Sequence, residues 1–199
     1  MIRRLPLLCL FAVVAIAVSG CHLSRNFHEV DPQQLYRSGQ LTSSELEAVI
    51  GEHGIRTVIN LRGARPETEW YRDEIATCAR LDVAHVDLRM SAQRIPHREH
   101  LCQLLDEFAL AERPILVHCA GGSDRTGLAT AIYAIEYMGH TKSEALQQLS
   151  LAYFHVPALA PSKHYFLEIY EGQEWAYAVY DPCAQNYEYY DDVRYCQEP

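Results

Sequence analysis

The sequence predicts an α/β fold with a central, mostly parallel sheet flanked by helices. Short β-branched apolar segments alternate with amphipathic ones from about residue 27 onward. The chain has 199 residues, of which 49% are apolar, so it is long enough for one domain with its own core. Because each helix returns the chain across the sheet, strands that alternate with helices pair mainly in parallel.

The elements follow one another without a repeat or a long linker. Strands and the turns that end them are predicted within residues 34–41, 55–63, 83–90 and 114–118. Helices are predicted from the Thr42–Glu45 capping box to about Gly54, from Pro66, around 101–108, over 126–138, from Thr141 and over 163–174. Ligands of such folds bind at the carboxyl ends of the strands, so function is expected there.

The net charge limits the classes of partner. The formal charge is -9. A surface that binds nucleic acid is usually basic, so no nucleic-acid partner is expected. A small anion site remains compatible with this charge, because such a site depends on local geometry.

The first twenty residues have the pattern of a signal peptide. Arg3 and Arg4 precede an apolar run that is shorter than the roughly 20 residues needed to span a bilayer. The end of this segment, Val18–Cys21, resembles a bacterial lipobox, which implies cleavage before Cys21 and lipid on its sulfur. Simple secretion is the alternative. Loss of the two arginines would bring the charge from -9 to about -11.

The lipobox resemblance also implies a location and a boundary. The mature chain is expected in the bacterial cell envelope, as a lipoprotein that faces the periplasm and associates with a membrane through Cys21. His22 follows the cysteine, which suggests the outer membrane by analogy with lipoproteins of Gram-negative bacteria. Residues 21–33 are interpreted as a tether, 34–175 as the catalytic domain and 176–199 as an acidic, tyrosine-rich tail.

Five cysteines remain once Cys9 and Cys21 are set aside, and an odd number leaves at least one thiol unpaired. Cys183 and Cys196 flank the tail and are expected to form a disulfide. A bond between Cys78 and Cys102 is a weaker alternative, since Cys78 lies on the apolar face of its predicted helix. Cys119 is therefore the expected free thiol.

The segment His118–Gly127 joins a predicted strand to a predicted helix. Its glycines allow the backbone to curl around an anion, and the helix start adds positive potential. Arg125 can donate two hydrogen bonds to one phosphate, and the same surroundings favour a thiolate at Cys119. His118 is expected to order the loop from outside rather than act as a base. The residues predicted to surround a phosphate are Ala120, Gly121, Gly122, Ser123, Asp124 and Arg125.

These residues resemble the phosphate-binding signature of the cysteine-dependent protein tyrosine and dual-specificity phosphatases, His-Cys-x5-Arg-Ser/Thr-Gly. The resemblance includes Tyr36–Leu41 and residues 54–62, and extends over about residues 34 to 153. It implies that Cys119 is the nucleophile that forms a phosphocysteine and that Arg125 clamps the phosphate. Thr126 would assist breakdown of the intermediate. No metal or cofactor is implied.

The general acid has two candidates. The family uses an aspartate about thirty residues before the cysteine, and Asp87 lies at this spacing. The apolar residues that alternate around Asp87 also fit a strand that continues past it. Asp124, inside the loop, is the alternative, because some bacterial relatives with Asp-Arg-Thr give this aspartate a catalytic part; it could equally brace the loop or cap the helix.

The basic residues Arg89, Arg94, His97 and Arg98 are expected to ring the pocket, although a solvated loop would have the same composition. The function implied is hydrolysis of phosphotyrosine, with phosphoserine and phosphothreonine as further substrates. The alternatives are hydrolysis of a small-molecule or lipid phosphate, and a catalytically silent lipoprotein that binds phosphate.

Overall fold

The computed structural model of the chain describes residues 25–190 and Cys196. Within them, the sheet has the strand order β1-β2-β5-β3-β4. The pairs β2–β5, β5–β3 and β3–β4 are parallel, and only β1 pairs antiparallel, with β2. The predicted α/β fold with a mostly parallel sheet is confirmed. The strands are His28–Asp31 (β1), Leu35–Ser38 (β2), Thr57–Asn60 (β3), Ala84–Asp87 (β4) and Ile115–His118 (β5).

The helices cover both faces of this sheet. They are Ser43–His53 (α1), Glu69–Arg80 (α2), Arg98–Leu110 (α3), Asp124–Met138 (α4), Lys142–Ala145 (α5), Pro161–Ile169 (α6) and Gln173–Ala178 (α7). Successive residues of a strand point to opposite faces. In β5, Leu116 accordingly packs into the cluster with α1 and α2, whereas Ile115 and Val117 pack into the larger cluster with α3, α4, α6 and α7.

Both capping boxes form as predicted, at Thr42 with Glu45 and at Thr141 with Glu144. Other helix boundaries differ from the expectation. The helix expected from Pro66 begins at Glu69, after a turn in which the Thr68 amide donates to the Arg65 carbonyl. The helix expected from residue 126 begins at Asp124, so its first turn includes Arg125.

The last predicted helix, 163–174, is divided into α6 and α7. Gly172 lies between them with φ +102°, a conformation that glycine adopts far more readily than other residues. Folded structure is also present on both sides of the segment assigned to the catalytic domain. The tether assigned to 21–33 includes β1, and α7 together with the fully buried Tyr180 extends the packed domain into the segment assigned to the tail.

One of the two disulfides considered from the sequence is present in the structure, and the other is not. Cys183 is bonded to Cys196, as expected. The alternative bond between Cys78 and Cys102 is absent, because both are free thiols, and Cys78 is buried against α1 and the sheet. Within the described residues, no helix is both long and apolar enough to cross a membrane. The signal peptide and Cys21 lie outside those residues.

Candidate active site

The carboxyl ends of four strands form one row. In the parallel register, Ser38 of β2 is level with His118 of β5, His118 with Asn60 of β3, and Asn60 with Asp87 of β4. The loop that begins at Cys119 therefore starts at the middle of this edge. The structure thus places the Cys-x5-Arg loop between a strand and a helix, as the sequence predicts.

Cys119 lies at the base of this loop, with only 3% of its surface exposed. Neighbouring segments hold the loop backbone from outside. The Gln40 amide donates to the carbonyl of Ala120 over 3.0 Å, and Asn26 Nδ2 donates to the carbonyl of Gly121 over 3.1 Å. These bonds fix the curve of the loop before any ligand is bound.

Arg37 also holds the loop, from a buried position. Its side chain is completely buried, and Nη2 donates to the Gly122 carbonyl over 2.7 Å. Nη1 donates to Thr130 Oγ1 and to both the carbonyl and Oε1 of Gln148. Burial lowers the pKa of Arg37 to about 10, which still leaves it charged at neutral pH. The guanidinium therefore links the phosphate loop to α4 and to the turn after α5.

Position 122 requires glycine for two reasons, its backbone conformation and the lack of room for a side chain. Its φ is +71°, and a Cβ there would approach the Gly39 nitrogen to 2.6 Å and the Ser38 carbonyl carbon to 2.7 Å. The adjacent Gly121 is different, since a Cβ there would meet only Ser123 Oγ, at 3.6 Å. The loop thus packs directly on the end of β2 at Gly122.

Arg125, in the first turn of α4, lines a cavity of about 270 Å³. Of the residues expected to ring this pocket, Arg89, Arg94 and His97 do line it. Arg98 does not, because it lies on α3 and Nη2 donates to the Tyr177 carbonyl. Tyr190, from the disulfide-closed segment, also faces the cavity. The full basic lining is Arg62, Arg65, Arg89, Arg94, His97, His100 and Arg125.

Sequence reasoning missed Arg62, Arg65 and His100. Arg62 stacks on the Trp70 ring, 3.5 Å from its centroid, and donates to Gln40 Oε1 over 2.7 Å. Burial and the nearby charge of Arg125 lower the pKa of Arg62. The sequence could have indicated Arg62 and Arg65, because both follow the end of a predicted parallel strand, where ligands of such folds bind.

His118 lies between the loop and a buried acid that sequence reasoning also missed. Its Nε2 is 3.2 Å from the Glu74 carboxylate, and its Nδ1 is 3.4 Å from the Cys119 carbonyl. Glu74 also contacts His85 Nε2 at 2.9 Å and Gln40 Nε2 at 2.5 Å. This arrangement agrees with an ordering role for His118. Glu74 could have been found as the one acid within the apolar face of α2.

Asp87 is held at the edge of the sheet. Its carboxylate accepts a hydrogen bond from Asn60 Nδ2 over 2.8 Å and another from the Tyr71 hydroxyl. The hydrogen bond to Asp87 and burial raise the pKa of Tyr71 to about 12. Adjacent strands are about 4.8 Å apart, so the Asp87 backbone is about 10 Å from that of His118. Asp87 is not one of the residues that line the cavity, and its role as general acid stays a prediction.

Asp124 is paired with a histidine. His155 Nδ1 lies 2.7 Å from Asp124 Oδ1, and the His155 side chain is completely buried while Asp124 is 37% exposed. Thr126 is also buried, and its hydroxyl lies 3.5 Å from the Ser38 carbonyl. Its role in breakdown of the intermediate is untested. The Ser123 hydroxyl turns back to the Gly121 carbonyl at 3.4 Å.

Comparison with known families gives a match over most of the chain. The model of the tyrosine phosphatase family matches residues 18–147. Among curated proteins, the dual specificity protein phosphatase TpbA of Pseudomonas aeruginosa (strain UCBPP-PA14) is 31% identical over 128 residues, which is 63% of this chain and 54% of TpbA. The chain thus spans about half the length of the curated relatives it matches.

Solved structures share the fold. The crystal structure of P. aeruginosa TpbA in complex with pTyr has a TM-score of 0.62 at 22% identity, over 74% of this chain and 86% of that one. The catalytic core of the PP-IP phosphatase SIW14 from S. cerevisiae, in complex with citrate, has a TM-score of 0.63 at 19% identity, over 75% and 87% of the two chains.

Proposed function

The chain belongs to the tyrosine phosphatase family, and we propose that it hydrolyses phosphotyrosine through a phosphocysteine at Cys119. The arrangement of the loop supports this most. Cys119 lies at its base, directly after a buried strand, and hydrogen bonds from Arg37 and other residues hold the loop backbone in place. Arg125 of the same loop lines the adjoining cavity. Phosphoserine and phosphothreonine are proposed as further substrates that the same chemistry accepts.

The first step transfers the phosphoryl group to sulfur. The Cys119 thiolate attacks phosphorus, an S–P bond forms and the P–O bond to the tyrosine oxygen breaks. That oxygen takes a proton from a general acid and leaves as the phenol. Arg125 and the amides of the loop stabilise the charge on the three non-bridging oxygens, in the way that fixed donors stabilise a transition state.

The second step releases phosphate. Water attacks phosphorus, its proton passes to a base, and the S–P bond breaks to restore the thiolate. Thr126 is proposed to donate a hydrogen bond to the departing sulfur. In the structure its buried hydroxyl lies near the Ser38 carbonyl, so donation to sulfur would need a change of side-chain rotamer.

The general acid can be assigned with two leaving groups. The p-nitrophenolate ion leaves without a proton, whereas phenolate needs one, so loss of the acid slows phenyl phosphate hydrolysis far more, by about 100-fold. We therefore compare Asp87→Asn and Asp124→Asn on both substrates. The variant that loses activity selectively on phenyl phosphate identifies the acid, and equal rates for both variants and the wild type exclude both residues.

Hydrolysis of a phosphotyrosine peptide by the full chain, in detergent and under reducing conditions, tests the function. We expect phosphate release that Cys119→Ser abolishes. Phosphate binding without release by the wild type would contradict the proposal and favour the alternative of a silent phosphate-binding protein.

A second substrate class is favoured by the cavity itself. Five arginines and two histidines line it, and no acidic residue does so among the described residues. A single phosphate needs one arginine and the loop, so the arginines of the lining other than Arg125 favour a small molecule with several phosphate groups. Comparison of kcat/KM for such a substrate with that for the phosphotyrosine peptide decides between the two classes.

We also propose that the protein is an envelope lipoprotein anchored through Cys21, on the support of the Val18–Cys21 pattern. Metabolic labelling with a fatty acid tests this. Label on the wild type and none on Cys21→Ala is expected, whereas equal release of both chains into the soluble periplasm would contradict it.

A further inference from the structure

Residues 88–97, which we name the β4–α3 loop, form one wall of the cavity. Arg89, Arg94 and His97 of this loop line it. The loop thus places cations near Arg62 and Arg125, which are themselves positive. Residues 88–97 contain no helix or strand, so contacts with other elements hold this loop in place.

Lys163 supplies such a contact from beneath. It lies on α6 and is completely buried. Its Nζ donates to the Ser91 carbonyl over 2.8 Å and to the Arg94 carbonyl over 2.5 Å. Within the same turn, Ser91 Oγ accepts from the amides of Gln93 and Arg94. One ammonium group therefore joins both ends of the turn that includes Arg94.

Two further contacts come from the same end of the chain. The Tyr180 hydroxyl donates to the Pro96 carbonyl over 2.5 Å, and the Ile95 amide donates to the Tyr189 carbonyl over 3.3 Å. These anchors and Lys163 all follow residue 147, where the match to the family model ends. The C-terminal part of the chain therefore supports the β4–α3 loop.

We propose that Lys163 is a positioning residue for substrate selection. Its ammonium group holds the β4–α3 loop so that Arg89 and Arg94 face the cavity, where they bind anionic groups of the substrate other than the phosphate that reacts. Lys163 itself does not touch the substrate. Its hydrogen bonds go to the β4–α3 loop, whereas the reacting phosphate is bound by the Cys119–Arg125 loop, with which Lys163 interacts only through charge.

The choice of a buried lysine fits this role. Burial of a charged group is costly unless it is well paired, and burial lowers the pKa of Lys163 to about 7. The chain has only two lysines and is otherwise rich in arginine. A compact ammonium group with three donors can reach two carbonyls of one tight turn, which the larger planar guanidinium group does not match.

This proposal rests on the proposed function, because it assumes that the cavity binds a substrate. Ligand binding can nevertheless test it in a variant that does not turn the substrate over. The measurement is calorimetric titration of the full chain in a Cys119→Ser background at pH 6, below the pKa of Lys163. The ligands are inositol hexakisphosphate, which carries many phosphate groups, and inorganic phosphate, which occupies only the phosphate loop. Lys163→Met removes the ammonium group while it keeps an unbranched side chain. We expect about tenfold weaker binding of the hexakisphosphate and a change below about threefold for phosphate.

The matched control is Lys142→Met. Lys142 Nζ also donates to a main-chain carbonyl, that of Glu168 at 2.6 Å, but it is exposed and does not contact the β4–α3 loop. Both affinities should stay at the wild-type value. If Lys163→Met does not fold, Tyr180→Phe removes the single hydroxyl that donates to the Pro96 carbonyl of the same loop, and it should weaken binding of the hexakisphosphate selectively, by a smaller factor.

Equal affinities of a folded Lys163→Met and the parent, or an equal loss for both ligands, would overturn the proposal. A parent chain that binds the hexakisphosphate no more tightly than phosphate would overturn it too. Failure of the proposed function has a different signature: the reduced wild type would then release no phosphate from any ester, while the selective effect of Lys163→Met on binding would persist.

Discussion

The carboxylate of Glu74 lies 3.2 Å from Nε2 of His118, the residue directly before Cys119, and both side chains are buried. Burial alone would raise the pKa of Glu74, but the charge of His118 and hydrogen bonds from His118, His85 and Gln40 lower it well below 4.5. A charged carboxylate in the core therefore fixes the histidine that supports the nucleophile loop.

Glu74→Gln should destabilise the protein at neutral pH by about 3 kcal/mol, because it removes one partner of a buried charged network. A carboxyl group with a depressed folded-state pKa contributes stability above its unfolded value, here 4.5, and loses it as the pH falls toward the folded value. The difference in unfolding free energy between wild type and variant should therefore shrink as the pH falls below about 4.5.

Urea unfolding at a series of pH values measures this difference. The control is Glu47→Gln, which removes an exposed carboxylate paired with Arg80 and should have little effect at any pH. A Glu74→Gln effect that stays constant from neutral to acidic pH would show that the charge of Glu74 does not stabilise the fold.

Gly122→Ala should abolish phosphate binding and destabilise the chain by about 2 kcal/mol or more, because a left-handed backbone conformation and a clash with β2 both oppose it. Gly121→Ala is the matched control, since a Cβ there meets only an ordinary contact. Thermal unfolding and phosphate titration of both variants check this. Similar results for the two glycines would mean that the close approach to β2 does not shape the loop.

Iodoacetamide at neutral pH should modify Cys119 and spare Cys78 and Cys102, the other free thiols of the described residues. Burial, together with the charge of Glu74, raises the pKa of Cys78 to about 12, and burial raises the pKa of Cys102. Cys183 and Cys196 are joined in a disulfide. Peptide mass spectrometry of the folded protein, with and without inorganic phosphate, should show modification of Cys119 that phosphate suppresses; preferential modification of Cys78 would contradict the structure.

The disulfide should influence the cavity through the segment it closes. Tyr190 lines the cavity and the Tyr189 carbonyl accepts from Ile95. Replacement of Cys183 and Cys196 by serine frees this segment, so we expect the KM for a phosphotyrosine peptide to rise about threefold with kcat unchanged. Cys102→Ser, which breaks no disulfide, is the control. Unchanged KM in the double variant would mean that the segment is held by its packing alone.

The sequence was sufficient for the fold class and for the Cys119–Arg125 loop because both are local patterns. Apolar segments such as Ile115–Val117 alternate with capped helices, and the loop residues are contiguous in the chain. The strand His28–Asp31 was missed because four residues of mixed polarity give no periodicity. Its pairing with β2 is settled by the tertiary structure.

The surroundings of the loop could not be predicted in the same way. Arg37 and Gly122 are 85 positions apart, and Lys163 and Ser91 are 72 apart. Such contacts depend on how the elements pack, which no local pattern records. The prediction that Arg98 lines the cavity was wrong for a related reason. Arg98, the first residue of α3, donates to the Tyr177 carbonyl, whereas His97, just before it, lines the cavity.

Detection of the covalent intermediate tests the central claim most directly. The reduced full chain is mixed with an aryl phosphate and quenched within milliseconds, and the peptide that contains Cys119 is analysed by mass spectrometry under conditions that preserve S–P bonds. The account predicts a transient phosphoryl group on Cys119 in the wild type and none in Cys119→Ser, which should also release no phosphate. Phosphate release by Cys119→Ser, or turnover by the wild type with the phosphoryl group on another residue or on none, would contradict it.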